Sequence, residues 1–173
     1  MLLHQARLFI KRLGLLLLCA GVAVLIDQLS KAQVERTLLL GESADFLPPL
    51  LTWTYVQNTG AAFSMLQNGG PVFFVLAAVA SAFIVVYTFK LPEKDQLSRF
   101  ALGLILGGIT GNIIDRIRQG YVTDFIHFQI PSISFSFAVF NGADSFLFIG
   151  VVILIILSLR REQKAAPAIS LPS

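Results

Sequence analysis

Between Val72 and Phe89 the chain runs eighteen residues without one charged side chain. At a rise of about 1.5 Å per residue, a helix of that length nearly matches the roughly 30 Å hydrocarbon core of a bilayer. A soluble domain could not hide it along with the rest of the chain, because 55% of the 173 residues are hydrophobic and only 13% are charged. The mean hydropathy of +0.77 places the chain among integral membrane proteins. Three more apolar segments each carry one acid near an end: Leu13 to Lys31 with Asp27, Phe100 to Ile117 with Asp115, and Ala138 to Leu159 with Asp144. With the span at 71–89, they predict an all-α membrane protein of four transmembrane helices.

Basic residues orient these helices, since Lys and Arg in short flanking loops stay on the cytoplasmic side. Arg7, Lys11 and Arg12 precede the first span, Lys90, Lys94 and Arg99 separate the second from the third, and Arg160, Arg161 and Lys164 follow the fourth. Lys31, Arg36, Arg116 and Arg118 share the other side with most of the acids. Both termini are therefore expected in the cytoplasm and both long loops outside. A basic start followed by Gly14 to Ile26 also resembles the apolar region of a signal peptide. Retention is the expectation, because cleavage would remove a helix that the charge pattern requires. Cys19, the single cysteine, follows the bulky Leu18 and reads as a small packing residue rather than a lipid-attachment site.

Outside the helices, LTWTYV at Leu51 to Val56 alternates polar and apolar residues, as do Ile133, Phe135 and Phe137 with the intervening serines. That two-residue period predicts strands with one greasy face. A small β-sheet on the extracytoplasmic surface follows, with Trp53 and Tyr55 at headgroup level, and Ala32 to Leu39 is expected to form a short surface helix beside it. Residues 1–161 form one expected domain and 162–173 a disordered cytoplasmic tail containing Pro167 and Pro172.

The acids carry the functional signal. Asp27 lies fifteen residues beyond Arg12, Asp115 sixteen beyond Arg99, and Asp144 sixteen before Arg160. Counting at about 1.5 Å per residue brings all three to one layer, about 22 to 24 Å from the inner boundary. Asp124 follows the third span closely enough for its loop to fold back to that level. An ionised carboxylate loses several kcal/mol of hydration at such a depth, so each needs a structural partner or a chemical task. Asp27 stands four residues before Lys31, on the same helical face, and Asp115 sits beside Arg116 and near Asn112; both read as scaffolding. Asp124 and Asp144 lack a local basic partner. Two adjacent carboxyls share one proton near neutrality, so one can act as base toward water while the other acts as acid toward a peptide carbonyl. His4 and His127 are the only histidines. They offer neither a HExxH metal motif nor an obvious base for a serine or cysteine nucleophile, so no metal or cofactor is expected.

Five blocks in order, DQLSK (Asp27 to Lys31), NTGAAFS (Asn58 to Ser64), GNIIDR (Gly111 to Arg116), VTDFIHF (Val122 to Phe128) and FNGAD (Phe140 to Asp144), resemble those of the lipoprotein signal peptidases, or signal peptidase II. The resemblance implies a four-helix aspartyl peptidase of the bacterial inner membrane, its site facing outward. Its substrates would be prolipoproteins whose lipobox cysteine already carries a diacylglyceryl group. It implies that Asp124 and Asp144 are the catalytic pair and that Asn58, Asn112, Arg116 and Asn141 line or brace the site, with Asp27, Lys31 and Asp115, read above as scaffolding, in support. Thr123 stands where the family often has Val, and Gly142 where a larger aliphatic is common, which predicts a looser start to the fourth helix. Partners are then lipidated substrates and membrane lipids, with a monomer expected. The pI of about 9.3 reflects cytoplasmic anchoring charge rather than nucleic-acid binding. Gly103, Gly107 and Gly111 recur every four residues, a spacing for close helix contact. The polar loop at Asn58 to Asn68 is expected to close over a bound peptide. A proton-coupled transporter would also keep membrane acids, but no internal repeat or midplane helix break accompanies them; a structural subunit would need no acid cluster.

Overall fold

In the computed structural model, which describes residues 2–60 and 70–165, four helices are long and apolar enough to cross a membrane. They are α1 (Leu2–Thr37), α2 (Gly70–Lys90), α3 (Gln96–Gln119) and α4 (Gly142–Ala165). Helix α3 lies at the centre and packs on the other three. Leu16, Ile84, Leu91 and Leu102 from α1, α2, the α2–α3 turn and α3 form the inner core. Val75, Leu76, Val79 and Phe83 of α2 point outward, as an apolar solvent permits.

Small residues set how closely the helices approach. A Cβ at Gly103 or Gly107 would meet the α1 backbone at Leu16 and Ala20, and one at Gly111 would meet the Asp27 carboxylate. The four-residue glycine repeat therefore seats α1 directly against α3. On the other side of α3, Gly108 lies against Ala143 and Leu147 of α4.

Four strands, β1 (Ser43–Leu47), β2 (Leu51–Asn58), β3 (Val122–Ile130) and β4 (Phe135–Ser136), form an antiparallel sheet in the order β1-β2-β3-β4. A second, smaller core of Val34, Tyr55 and Phe125 fastens this sheet to the C-terminal end of α1. Trp53 stacks on Phe125 at 5.4 Å and meets Phe46 edge-on. Tyr55 is thus buried within the protein, where sequence alone placed it at headgroup level.

Several boundaries differ from the sequence expectation for identifiable reasons. The helix foreseen at Ala32 to Leu39 exists through Thr37 as the unbroken continuation of α1, because no proline or turn separates the two. Helix α3 starts at Gln96 rather than Phe100, where the Asp95 carboxylate accepts the Ser98 N–H at 3.2 Å. It ends where Gly120 adopts φ of 82° and returns its N–H to the Arg116 carbonyl. Helix α4 starts at Gly142, not Ala138, because Phe140 is tied to β3 through its N–H to Ile126 O (3.0 Å) and through its carbonyl. Strand β4 is only two residues long, and Ile133 falls in a preceding 3-10 turn. Glu162 to Ala165 continue α4 instead of beginning a disordered tail. The rest of that tail, and residues 61–68 of the loop expected to close over a peptide, lie outside the described residues.

Candidate active site

Asp124 occupies β3, not a loop. Pairing of Val56 with Asp124 and of Asn58 with Val122 sets the register of β2 against β3. Asn58 therefore reaches its diagonal neighbour and donates from Nδ2 to Asp124 Oδ2 at 2.9 Å. Thr123, the adjacent residue and fully buried, donates its backbone N–H to Asp115 Oδ2 (3.2 Å) and its hydroxyl to Glu35 Oε1 (2.6 Å). The strand is thus anchored immediately beside its acid.

Asp144 is placed by the start of α4. Asn141 caps that helix by accepting the Asp144 N–H on Oδ1 at 2.9 Å, and Asp144 Oδ2 accepts the Asn141 N–H at 3.3 Å. This reciprocal pair is a capping box with aspartate at its third position. With Asn141 Oδ1 committed to the helix, its Nδ2 faces the other way and donates to Asp124 Oδ1 at 2.6 Å and to Asn112 Oδ1 at 3.2 Å. Asn112 Nδ2 in turn donates to Asp144 Oδ1 at 2.8 Å. Each of the two acids thus accepts two N–H donors, and Asn141 touches both.

Beneath them lies a fully buried ionic group. Lys31 Nζ is 2.8 Å from Asp27 Oδ2, 2.9 Å from Asp115 Oδ2 and 3.1 Å from Asn112 Oδ1, so all three ammonium protons are used. The remaining Asp27 oxygen accepts the Ala143 N–H at 2.8 Å, seating α4 on α1. Gln28 donates to Asp115 Oδ1 at 2.8 Å. Lysine has no acceptor, so its contact fixes the Asn112 amide with oxygen toward Lys31 and nitrogen toward Asp144. The four acids singled out in the sequence therefore belong to one hydrogen-bonded network.

Two local readings change. Asp115 is held by Lys31, Gln28 and Thr123, not by its neighbour Arg116. Arg116 instead donates to the Gly60 carbonyl at 3.0 Å and lies 4.6 Å from the centre of the Phe73 ring. Gly142 packs on Asp27, its Cβ position 3.3 Å from Oδ1, so the start of α4 is tightly seated rather than loosened.

Both Asp124 and Asp144 open into one cleft of about 870 Å³, shared with Asn58, Asn112 and Arg116. Its other wall is apolar, built from Phe128, Phe137, Phe140, Leu147 and Phe148. Burial is the largest influence on Asp124 and pushes its carboxyl up to about 7. The Asp144 charge adds to that rise, while the bonds from Asn58 and Asn141 oppose it. Sequence reading missed Gln28, Glu35 and Thr123 as supports, and all the cleft phenylalanines. Thr123, directly before an acid of interest, and Gln28, Phe128 and Phe140, inside the quoted blocks, carried a signal; Glu35 carried none.

Fold and site together define a polytopic membrane protein whose acids converge at one end of its helices and open into a greasy cleft. A family model described as signal peptidase (SPase) II matches residues 19–160. A lipoprotein signal peptidase of Nostoc sp. is 41% identical over 86% of this chain and 91% of its own length. One from Streptococcus pyogenes serotype M5 is 40% identical, covering 92% and 97%. Two solved bacterial membrane enzymes share the fold. The one determined in meso at 2.3 Å has a TM-score of 0.82 and 31% identity, over 91% of this chain and 95% of its own. The other, at 1.9 Å, has a TM-score of 0.77 and 34% identity, over 84% and 93%. The chain belongs to the signal peptidase II family.

Proposed function

We propose that the protein is a membrane aspartyl endopeptidase that removes the signal peptide from diacylglyceryl-modified prolipoproteins, cutting before the lipidated cysteine. The observation that carries the reading is the pair Asp124 and Asp144, joined through Asn141 and Asn112 in one apolar cleft. Family membership supports the substrate class, and the greasy wall suits acyl chains beside a peptide.

Burial that raises the Asp124 carboxyl to about 7 suits it to hold the shared proton near neutrality, and in this reading Asp144 is the base. Asp144 takes a proton from water as the oxygen attacks the scissile carbonyl carbon. Asp124 hydrogen-bonds the carbonyl oxygen as it gains charge. The carbon–nitrogen bond then breaks, and the proton held by Asp144 passes to the departing amine of the cysteine. The signal peptide leaves with the new carboxyl group. Asn58 and Asn112 hold the two acids in place, and Arg116, at the cleft, binds substrate carbonyl oxygen. Asp27, Lys31 and Asp115 brace the helix ends from below. The enzyme acts as a monomer in the bacterial inner membrane, with both termini cytoplasmic and the cleft facing outward, an orientation that the nine basic residues of one side support.

The test is incubation of the purified full chain in detergent with a diacylglyceryl-modified lipobox peptide and its unlipidated twin, with and without chelator. Mass spectrometry should find one cut, before the modified cysteine, unaffected by chelator and at least tenfold slower without lipid. A cut elsewhere, or activity lost with chelator, refutes the assignment.

A further inference from the structure

Along one wall of the cleft runs a short segment, following β4, whose main chain is only half used. Phe137 donates its N–H to Phe128 O at 2.9 Å. Phe140 donates to Ile126 O at 3.0 Å, and its carbonyl accepts from both Phe125 (2.9 Å) and Ile126 (2.7 Å). Between them Ala138 and Val139 line the cleft, and neither makes a backbone hydrogen bond among the described residues. Two N–H and two C=O groups thus stand without a partner among the described residues, beside Phe128, Phe137, Phe140 and Leu147. Polar main-chain groups in apolar surroundings gain from a partner that supplies both donors and acceptors. An extended peptide supplies both at the strand repeat; an acyl chain supplies neither.

We propose that Ala138 and Val139 form a strand-pairing subsite, in which the substrate residues flanking the scissile bond lie extended beside this segment and exchange main-chain hydrogen bonds with it. The proposal rests on the peptidase reading and names how that site grips its substrate. Position favours it. The segment is bridged to β3 at Ile126 and Phe140, two residues from Asp124, and runs straight into Asn141 and Asp144. A peptide paired with it is carried past both acids. The Ala138 methyl leaves room for a second backbone, and β-branched Val139 favours an extended main chain.

Hydrogen exchange tests the pairing on the wild-type chain in detergent, by NMR, with a diacylglyceryl lipopeptide whose scissile amide is replaced by a non-hydrolysable methyleneamine. At saturation at least one of the Ala138 and Val139 amides should exchange at least tenfold more slowly than in the free protein, since alternate residues of a strand face opposite edges. A parallel scan replaces each flanking substrate amide in turn by an ester, which removes a donor without adding bulk. At least one ester should raise KM about three- to tenfold with kcat little changed, the size expected of one lost hydrogen bond. Unchanged exchange at both amides overturns the proposal, and so does a scan in which every ester keeps the parent KM. A parent peptide that binds but is never cut would instead sink the peptidase reading, and the exchange rates would still decide the pairing.

Discussion

Gly108→Ala turns helix spacing into a kinetic quantity. The added methyl would sit 3.0 Å from Leu147 Cβ and closer still to the carbonyl oxygen of Ala143, both on α4. Ordinary carbon contacts lie at about 3.5 to 4.0 Å, so α4 must retreat from α3 by roughly 1 Å to accept it. The carbonyl belongs to the residue before Asp144, so the displacement is delivered to that carboxylate and to its 2.8 Å bond with Asn112. Overpacking of this kind costs about 1 to 3 kcal/mol of stability, and misplacing a catalytic group by about 1 Å costs about a hundredfold in rate. Gly21→Ala is the matched control, since nothing lies within 4 Å of its Cβ position. Cleavage of a fluorogenic diacylglyceryl lipobox peptide, with thermal unfolding in the same detergent, should show kcat/KM about a hundredfold lower for Gly108→Ala and unchanged for Gly21→Ala. A Gly108→Ala enzyme that unfolds like wild type and cleaves within about threefold of it would refute the argument that α3–α4 spacing positions Asp144.

Lys31→Met should destabilise the protein by about 3 to 5 kcal/mol, seen as poor recovery of folded enzyme, because it strands two buried carboxylates. Arg118→Ala should change thermal stability by less than about 1 kcal/mol, since its pair with Glu35 is partly exposed. The pH profile follows from Asp124: its carboxyl is raised to about 7, so it keeps its proton below that value and loses it above. Because the proposed mechanism needs that proton, kcat/KM should fall as pH rises through about 7. A rate still climbing at pH 9 would contradict the proton assignment.

What the sequence disclosed depended on whether the cause was local. An eighteen-residue uncharged run such as Val72 to Phe89 needs no partner to be recognised as a span. Residue counting likewise sufficed to bring Asp27, Asp115 and Asp144 to one depth, since helical rise is constant. Pairing across long separations left less trace. All five residues of β1 are exposed and alternate weakly, and its partner β2 is fixed only in the folded state. Asp115 had a decoy in adjacent Arg116, whereas its true partner Lys31 comes from another helix, brought close by glycines whose purpose is visible only against α1. The start of α4 was misjudged because Ala138 to Phe140 is apolar enough to extend a helix. The pull of β3 on Phe140 and the capping by Asn141 decide otherwise.

The most decisive measurement is cleavage of the lipidated peptide by folded Asp124→Asn and Asp144→Asn enzymes beside wild type. Each exchange keeps the volume and removes the ability to share a proton. Both variants should bind the peptide, unfold at temperatures near wild type and lose at least about a thousandfold in kcat, a loss on the scale of general acid and base catalysis. If either folded variant cleaves at the wild-type rate, Asp124 and Asp144 are not the pair that activates water.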